Sequence, residues 1–328
     1  MAKIVRTAGL RDSEARGLRA EKGRGATRSR RIARGLYAVG ADRTDLDRLA
    51  TRVRALLPLA PSGSLICGAT ALALAGIRLP ERVARMAAGP VRVTVPRESG
   101  WRSRRPEILS TRPQTMPPAG RPNPYQIPVA WLPYCWVRVT ADLMLGPGWD
   151  PAHRGKVPTG PGVFAEARKA AFLESVQIGD QLLARSNPLV TYKEFAEYIT
   201  ALTDMHGARL ARTVFDHVRA RTDSTMESWL RLVVWDAGFP DPVVNHKVSV
   251  GERTRYLDLA WPELMIDLEF HGRQHFYEYE QARDDVTRRG QLQLAGWTTI
   301  EATESDLKKP GHLLQQIDAL FTARQAPR

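Results

Sequence analysis

The sequence predicts an α+β protein that ends in a layered α/β unit of about a hundred residues. Three observations predict it. Apolar residues recur at helical intervals from Thr225 to Trp235, three short strand-like runs follow between Val243 and Phe270, and a helix, a strand and a helix close the chain. With 328 residues and 43% hydrophobic content, the chain suffices for one large domain or two to three small ones. Three regions are expected: a basic front over 1–145, a helical connector over 146–222 and the layered unit over 223–323.

In the front region, a short polar helix is expected around Asp12 to Ala20. A basic stretch with Arg28, Arg30, Arg31 and Arg34 then leads into an apolar strand from Leu36 to Val39. A helix followed by a basic hairpin fits a trimmed winged-helix element, in which helix and wing both meet phosphates. A basic arm without fixed structure fits the same residues equally well, and Arg30, Arg31 and Arg34 are phosphate-contact candidates in either case. Thr44 is placed to cap a helix with Leu46, Leu49, Val53, Leu56 and Leu57 at helical spacing and Pro58 at its end. A second helix is expected over Ala69 to Ala75 and a strand over Val91 to Val95. From Trp101 to Pro128 the density of Arg and Pro predicts an extended or loop-like connection, with strand-like material returning at Val129 to Val139. Helices are expected over Phe164 to Ile178 and Tyr192 to Leu202, and no chemistry is read in the connector.

Composition narrows the function classes. The two cysteines, Cys67 and Cys135, lie in separate apolar contexts, which argues against a disulfide framework or a cysteine metal cluster and makes both core residues. The longest nearly uncharged apolar stretch, Leu65 to Ile77, is interrupted by two glycines and falls short of the roughly 20 residues a membrane-spanning helix needs. The basic N-terminus has no apolar segment behind it, so a secretory signal is not expected, and the protein is placed in the cytoplasm with no membrane partner. The net charge of +13 is unevenly spread. Residues 1–35 carry eleven Lys and Arg against three Asp and Glu, whereas twelve basic and seventeen acidic residues follow from Asp223 onward. The front therefore reads as a face for a polyanion, and the back as a place where carboxylates are concentrated for another purpose.

The C-terminal unit begins with the helix that carries Glu227 in its first turn and stops at Gly238-Phe239-Pro240. Strands are expected over Val243 to Val250, Tyr256 to Ala260 and Leu264 to Phe270, with turns at Gly251-Glu252-Arg253 and Trp261-Pro262-Glu263. In such a meander Asp258 and Glu269 fall on neighbouring strands, and one register brings both carboxylates to the same edge. Two hard oxygen ligands at one point suit Mg²⁺ or Mn²⁺. A helix from Phe276 to Gln293, a strand from Trp297 to Glu301 and a helix from about Asp306 to Ala323 complete the order. His271 and His275 find no third nitrogen or sulfur ligand nearby in sequence, so zinc is not expected.

Two resemblances follow from particular residues. Arg34-Gly35-Leu36-Tyr37, the run Cys67 to Gly76 with Leu79-Pro80, and Thr140-Ala141-Asp142-Leu143 resemble the N-terminal region of actinobacterial abortive-infection antitoxins of the AbiEi type. Met226-Glu227-Ser228, Gly238-Phe239-Pro240, Leu257 to Glu263, Leu268-Glu269-Phe270-His271-Gly272 with His275, Asp285 with Arg288, and Leu294 to Trp297 resemble the PD-(D/E)XK superfamily. Within it they are similar to the domain-of-unknown-function branch close to very-short-patch-repair (Vsr) endonucleases.

The second resemblance implies a restriction-endonuclease-like αβββαβα domain with DNA as substrate. It makes Asp258 and Glu269 the metal ligands, puts Glu227 near them as a third carboxylate, and sets Asp285 and Arg288 on the facing side of the next helix. Arg288 or Arg273 then stabilises phosphate charge, and the implied reaction is phosphodiester hydrolysis in defence or repair. The lysine expected two positions after the glutamate is absent, and the acidic residue this branch usually shows there is His271, a candidate ligand or general base, as is His275 nearby. The alternative implied by the same residues is a DNA-binding regulator or antitoxin that keeps the nuclease-like fold as a scaffold, with a cognate toxin as partner.

Overall fold

A computed structural model describes residues 2–6, 29–34, 36–39, 44–145, 166–203, 205–250, 253–272 and 279–325. The polar helix expected at Asp12 to Ala20, Arg28, Arg273 and His275 lie outside these residues, as do the side chains of Arg30 and Asp285. The chain forms two compact units, one from residues 1–148 with 197–211 and one from 149–196 with 212–328.

In the first unit, β1 (Lys3–Arg6), β2 (Ser29–Ala33) and β3 (Leu36–Val39) form an antiparallel sheet with β3 in the middle. Helix α1 (Asp45–Leu56) starts on a capping box. The Asp47 N–H donates to Thr44 Oγ1 at 3.0 Å, and the Thr44 N–H donates to Asp47 Oδ2 at 3.0 Å. Strand β4 (Leu65–Ile66), helices α2 (Gly68–Leu74) and α3 (Glu81–Ala88), and strands β5 (Val91–Thr94) and β6 (Ile108–Thr111) follow, with sheet order β4-β5-β6.

Two expectations fail in this unit. The Arg- and Pro-rich stretch contains β6, which pairs parallel to β5 and buries Ile108, because an edge strand of four residues needs only a brief interruption of loop composition. Residues from Leu132 onward are helical, α4 (Leu132–Leu145), and not a strand. The run of Tyr134, Trp136, Val137 and Val139 is apolar on nearly every side because the helix is buried on all but the face of Arg138 and Asp142, so periodicity separates it poorly from a buried strand.

In the second unit, α5 (Glu166–Leu182) precedes α6 (Tyr192–Ala201), whose last turn belongs to the first unit, and α7 (Ala208–Phe215) straddles the same division. The expected order then appears: α8 (Thr225–Asp236), β7 (Val243–Val250), β8 (Arg253–Trp261), β9 (Ile266–Phe270), α9 (Tyr279–Leu294), β10 (Thr298–Ala302), α10 (Glu304–Lys308) and α11 (Gly311–Gln325). The closing helix is two helices, separated at Lys309-Pro310 because proline cannot continue the first.

The sheet runs β10-β9-β8-β7, antiparallel except for the parallel β9–β10 pair. Leu259, Trp261, Ile266 and Leu268 pack with Leu230 and Val234 of α8 and with Leu313, Ile317 and Phe321 of α11. Each such burial is worth roughly 1.5–3 kcal/mol. Leu292 of α9 packs with Ala260, so α9 supports the other side.

Helix α8 is anchored to α5 by a buried ion pair. Arg231 Nη2 lies 3.1 Å from Asp180 Oδ2, with side chains 1% and 0% exposed, and it also donates to the His217 carbonyl at 2.7 Å. Burial pushes the Asp180 carboxyl up while Arg231 and the Arg219 N–H pull it back. Removing one partner strands the other charge in the core. Arg231→Met is therefore expected to lower unfolding free energy by roughly 3–5 kcal/mol. Urea titration of tryptophan fluorescence reads this, and Asp180→Leu in the same chain is expected to recover most of the loss.

Candidate functional site

The site forms where the β8–β9 ladder opens. Backbone pairing runs Trp261↔Ile266, Ala260↔Asp267 and Leu259↔Leu268. One step further along this register Asp258 stands beside Glu269, and here the side chain takes over from the backbone: the Phe270 N–H donates to Asp258 Oδ2 at 3.1 Å. Residues two apart in a strand share a face, so Asp267 joins Glu269, while Ile266 and Leu268 turn into the apolar core. Asp267 is fully buried and accepts from Thr299 Oγ1 of β10 at 3.0 Å.

Glu227 comes from the first turn of α8, a position a negative charge favours. Ser224 caps the helix by accepting the Glu227 N–H at 3.1 Å, and Glu227 Oε2 accepts the Asp223 N–H at 3.1 Å. At the rim, Asp223 Oδ2 accepts from Arg185 Nε at 2.7 Å, and the Arg185 guanidinium lies 4.7 Å from the centroid of the Tyr256 ring. Arg288 of α9 donates to the Tyr256 carbonyl at 2.8 Å and forms a close ion pair with Glu269. Its neighbour Arg289 pairs with Glu301, the residue beside Glu269 on β10, at 3.2 Å.

Desolvation dominates the electrostatics. Burial, and behind it the Asp258 carboxylate, push Glu227 up to about 7. Burial also raises Asp258, opposed by the Phe270 N–H and by Arg288. Asp267 is raised by burial against the Thr299 hydroxyl, and Glu269 by burial and then by Asp267, with Arg288 pulling the other way. The buried Asp267 Oδ1 has no hydrogen-bond partner.

Among the described residues no three His, Cys, Asp or Glu side chains form a ready-made metal cage. Asp258 and Glu269 instead offer two carboxylates on one edge, the kind of donor set on which Mg²⁺ keeps several waters. The buried carboxyl oxygens of Asp258 and Glu269, with the partnerless Asp267 Oδ1 nearby, are compatible with a hard cation that displaces their protons.

Of the residues singled out in the sequence, Glu227, Asp258, Glu269 and Arg288 are brought together. His271 follows β9, half-buried, with its N–H donating to the Ala302 carbonyl at 2.7 Å. Arg31 and Arg34 are exposed on and beside the β2–β3 hairpin of the other unit. Asp267, Asp223 and Arg185 were missed. The alternation Ile266-Asp267-Leu268-Glu269 was a usable signal for Asp267, whereas nothing local marks Arg185, which reaches the rim from the end of the α5 region.

The chain is 33% identical over 128 residues to two Mycobacterium tuberculosis proteins, Uncharacterized protein MT2308 of strain CDC 1551 / Oshkosh and Uncharacterized protein Rv2248 of strain ATCC 25618 / H37Rv. The match covers 37% of this chain and 47% of each relative, so the chain spans about half the length of the curated relatives it matches. No protein-family model matches the chain, and no solved structure matches it significantly.

A raised folded-state carboxyl means that the folded state holds a proton the unfolded state has released, so stability is present at low pH and lost as pH rises through the folded value. For Glu227 that window runs from the ordinary glutamate value of 4.5 to about 7. Without added divalent cations, the melting temperature is expected to fall across this window, and Glu227→Gln is expected to flatten the fall. Calorimetric melts in matched buffers check this; a wild-type melting temperature rising over the same range contradicts it.

Proposed function

We propose that the C-terminal unit is a divalent-metal-dependent DNA endonuclease, a restriction-endonuclease-like domain of the PD-(D/E)XK, Vsr-like type that hydrolyses phosphodiesters in defence or repair. The observation that carries this reading is the placement of Asp258 and Glu269 side by side at the opened end of the β8–β9 ladder. The order α8, β7, β8, β9, α9, β10 and the closing helices supports it, as does the mixed four-stranded sheet.

Asp258 and Glu269 would hold Mg²⁺ or Mn²⁺. When bound, such an ion supplies charge neutralisation at the phosphoryl oxygens and a water acidified toward neutral pH. The chain's own groups do the rest. Glu227 holds a proton at its carboxyl near neutral pH and limits the negative charge beside Asp258. His271, two positions after Glu269, is the group proposed to accept the proton of the attacking water. Arg288 is the cation in contact with Glu269 and is proposed to face the scissile phosphate. The basic hairpin of the front unit, with Arg30, Arg31 and Arg34, is proposed to bind the DNA backbone, an interaction that weakens steeply with salt.

The Arg288–Glu269 ion pair also favours a second reading. A carboxylate already neutralised by a guanidinium needs no metal, which suits a regulator or antitoxin that binds DNA, and a cognate toxin, without cutting. No helix among the described residues is long and apolar enough to cross a membrane, so neither reading calls on one.

Purified protein is expected to nick supercoiled plasmid or single-stranded DNA with Mg²⁺ or Mn²⁺ and not with EDTA. Asp258→Ala and Glu269→Ala are each expected to lower the rate on the order of 100-fold while duplex binding persists. Retained, salt-sensitive duplex binding with no nicking by the wild type selects the regulator instead.

A further inference from the structure

The first unit contains a cavity of about 650 Å³ that shares no residue with the carboxylate site. Its wall combines Arg97, the stretch Thr111–Pro118 after β6, Tyr134 and Arg138 of α4, and Tyr198, Ala201, Leu202, Thr203, Met205 and His206. Three guanidiniums line it, from Arg97, Arg112 and Arg138, and none of its described lining residues is acidic. A charge excess of this kind inside a concave site favours a counter-ion.

Arg138 supplies a second observation. Its Nε is buried without a hydrogen-bond partner, so the guanidinium of this lining residue is not fully satisfied from within the unit. A second cavity of the first unit, of about 500 Å³, makes the contrast. It too is lined by arginines, but there Arg92 is neutralised by Asp142 at 2.7 Å.

The remaining wall suits a flat apolar group. Tyr198 stands edge-on to Trp131 with ring centroids 5.0 Å apart, and Met116 and Pro117 line the same space. Burial raises the Tyr134 and Tyr198 hydroxyls, so both remain neutral. Burial and then Arg138 lower His206, against a smaller opposing effect of the Asp142 carboxylate. The arginines are thus the groups left to meet a negative charge. The volume exceeds what inorganic phosphate fills and lies within the range of small-molecule sites. Guanidinium forks match the several acceptor oxygens of a phosphate monoester.

We propose that this cavity binds a nucleoside monophosphate, its phosphate held by Arg112 and Arg138 and its base lying along Tyr198 and Met116. The site is independent of the nuclease reading.

Isothermal titration of the full chain with AMP, adenosine, inorganic phosphate and a short single-stranded oligonucleotide tests it. AMP is expected to bind at micromolar concentration, with adenosine and inorganic phosphate each at least tenfold weaker. Arg138→Gln, or Arg112→Gln should the first variant not fold, is expected to weaken AMP at least tenfold with an unchanged circular-dichroism melt. Glu269→Ala is expected to leave AMP binding intact. No AMP binding at millimolar concentration, equal AMP affinity in wild type and in the folded arginine variants, or oligonucleotide binding at the arginines that AMP does not displace overturns the proposal.

Discussion

Carboxyl groups crowded at the opened end of the β8–β9 ladder set the terms for the whole C-terminal unit. Left in water, Glu227, Asp258, Asp267 and Glu269 would ionise independently; folding removes that water and makes each charge the others' problem. The unit tolerates this because the opposite side of the same strands is a dense apolar layer, where Leu259, Ile266 and Leu268 meet α8 and α11. Hydrophobic burial holds the sheet together while its polar side carries desolvated carboxyls that cost stability. The compensating contacts come from the periphery: Arg288 on Glu269, Arg289 on Glu301, Arg185 on Asp223, and the Phe270 N–H on Asp258.

The same logic explains why α8 is tied so firmly. It carries Glu227 in its first turn and Arg231 one turn later, so one short helix joins the carboxylate cluster to the buried Asp180 ion pair. A helix held by apolar contacts alone has more freedom to slide than one whose guanidinium must reach a buried carboxylate and the His217 carbonyl. The position of Glu227 relative to Asp258 is therefore coupled to a contact made on α5, well outside the site. The front unit solves a different problem. Its central helix α4 is buried on nearly all sides and supplies both core, through Trp136 and Val137, and chemistry, through Arg138.

What was legible in the sequence follows from how local each signal is. Period-2 and period-3.6 patterns between Thr225 and Ala302 are strong because each element has one wet and one dry side, and the order of elements and the Asp258–Glu269 juxtaposition could be read from them. Capping at Thr44 was visible for the same reason: its partner is three residues away. The strand expected at Val129 to Val139 failed where burial is isotropic and pattern carries no direction, and β6 was hidden by the arginines and prolines around it. Strand β1 is four residues whose partner, β3, lies some thirty positions later, a separation no window spans. Arg185, Asp223 and the Arg288–Glu269 contact depend on tertiary placement in the same way.

The parallel pairing of β9 with β10 has a kinetic side. The β7–β8–β9 meander closes through short turns, but β10 can join only after the chain has looped out through α9 and returned. Such non-local pairing is slow compared with hairpin formation. Strand β10 brings Thr299 to Asp267, and α9 brings Arg288 to Glu269. In a transition state that contains only the meander, these carboxylates are still hydrated and their mutual repulsion is not yet felt. If β10 and α9 dock after the meander, substitutions on the charged face are expected to alter how fast the native state is lost more than how fast it is reached.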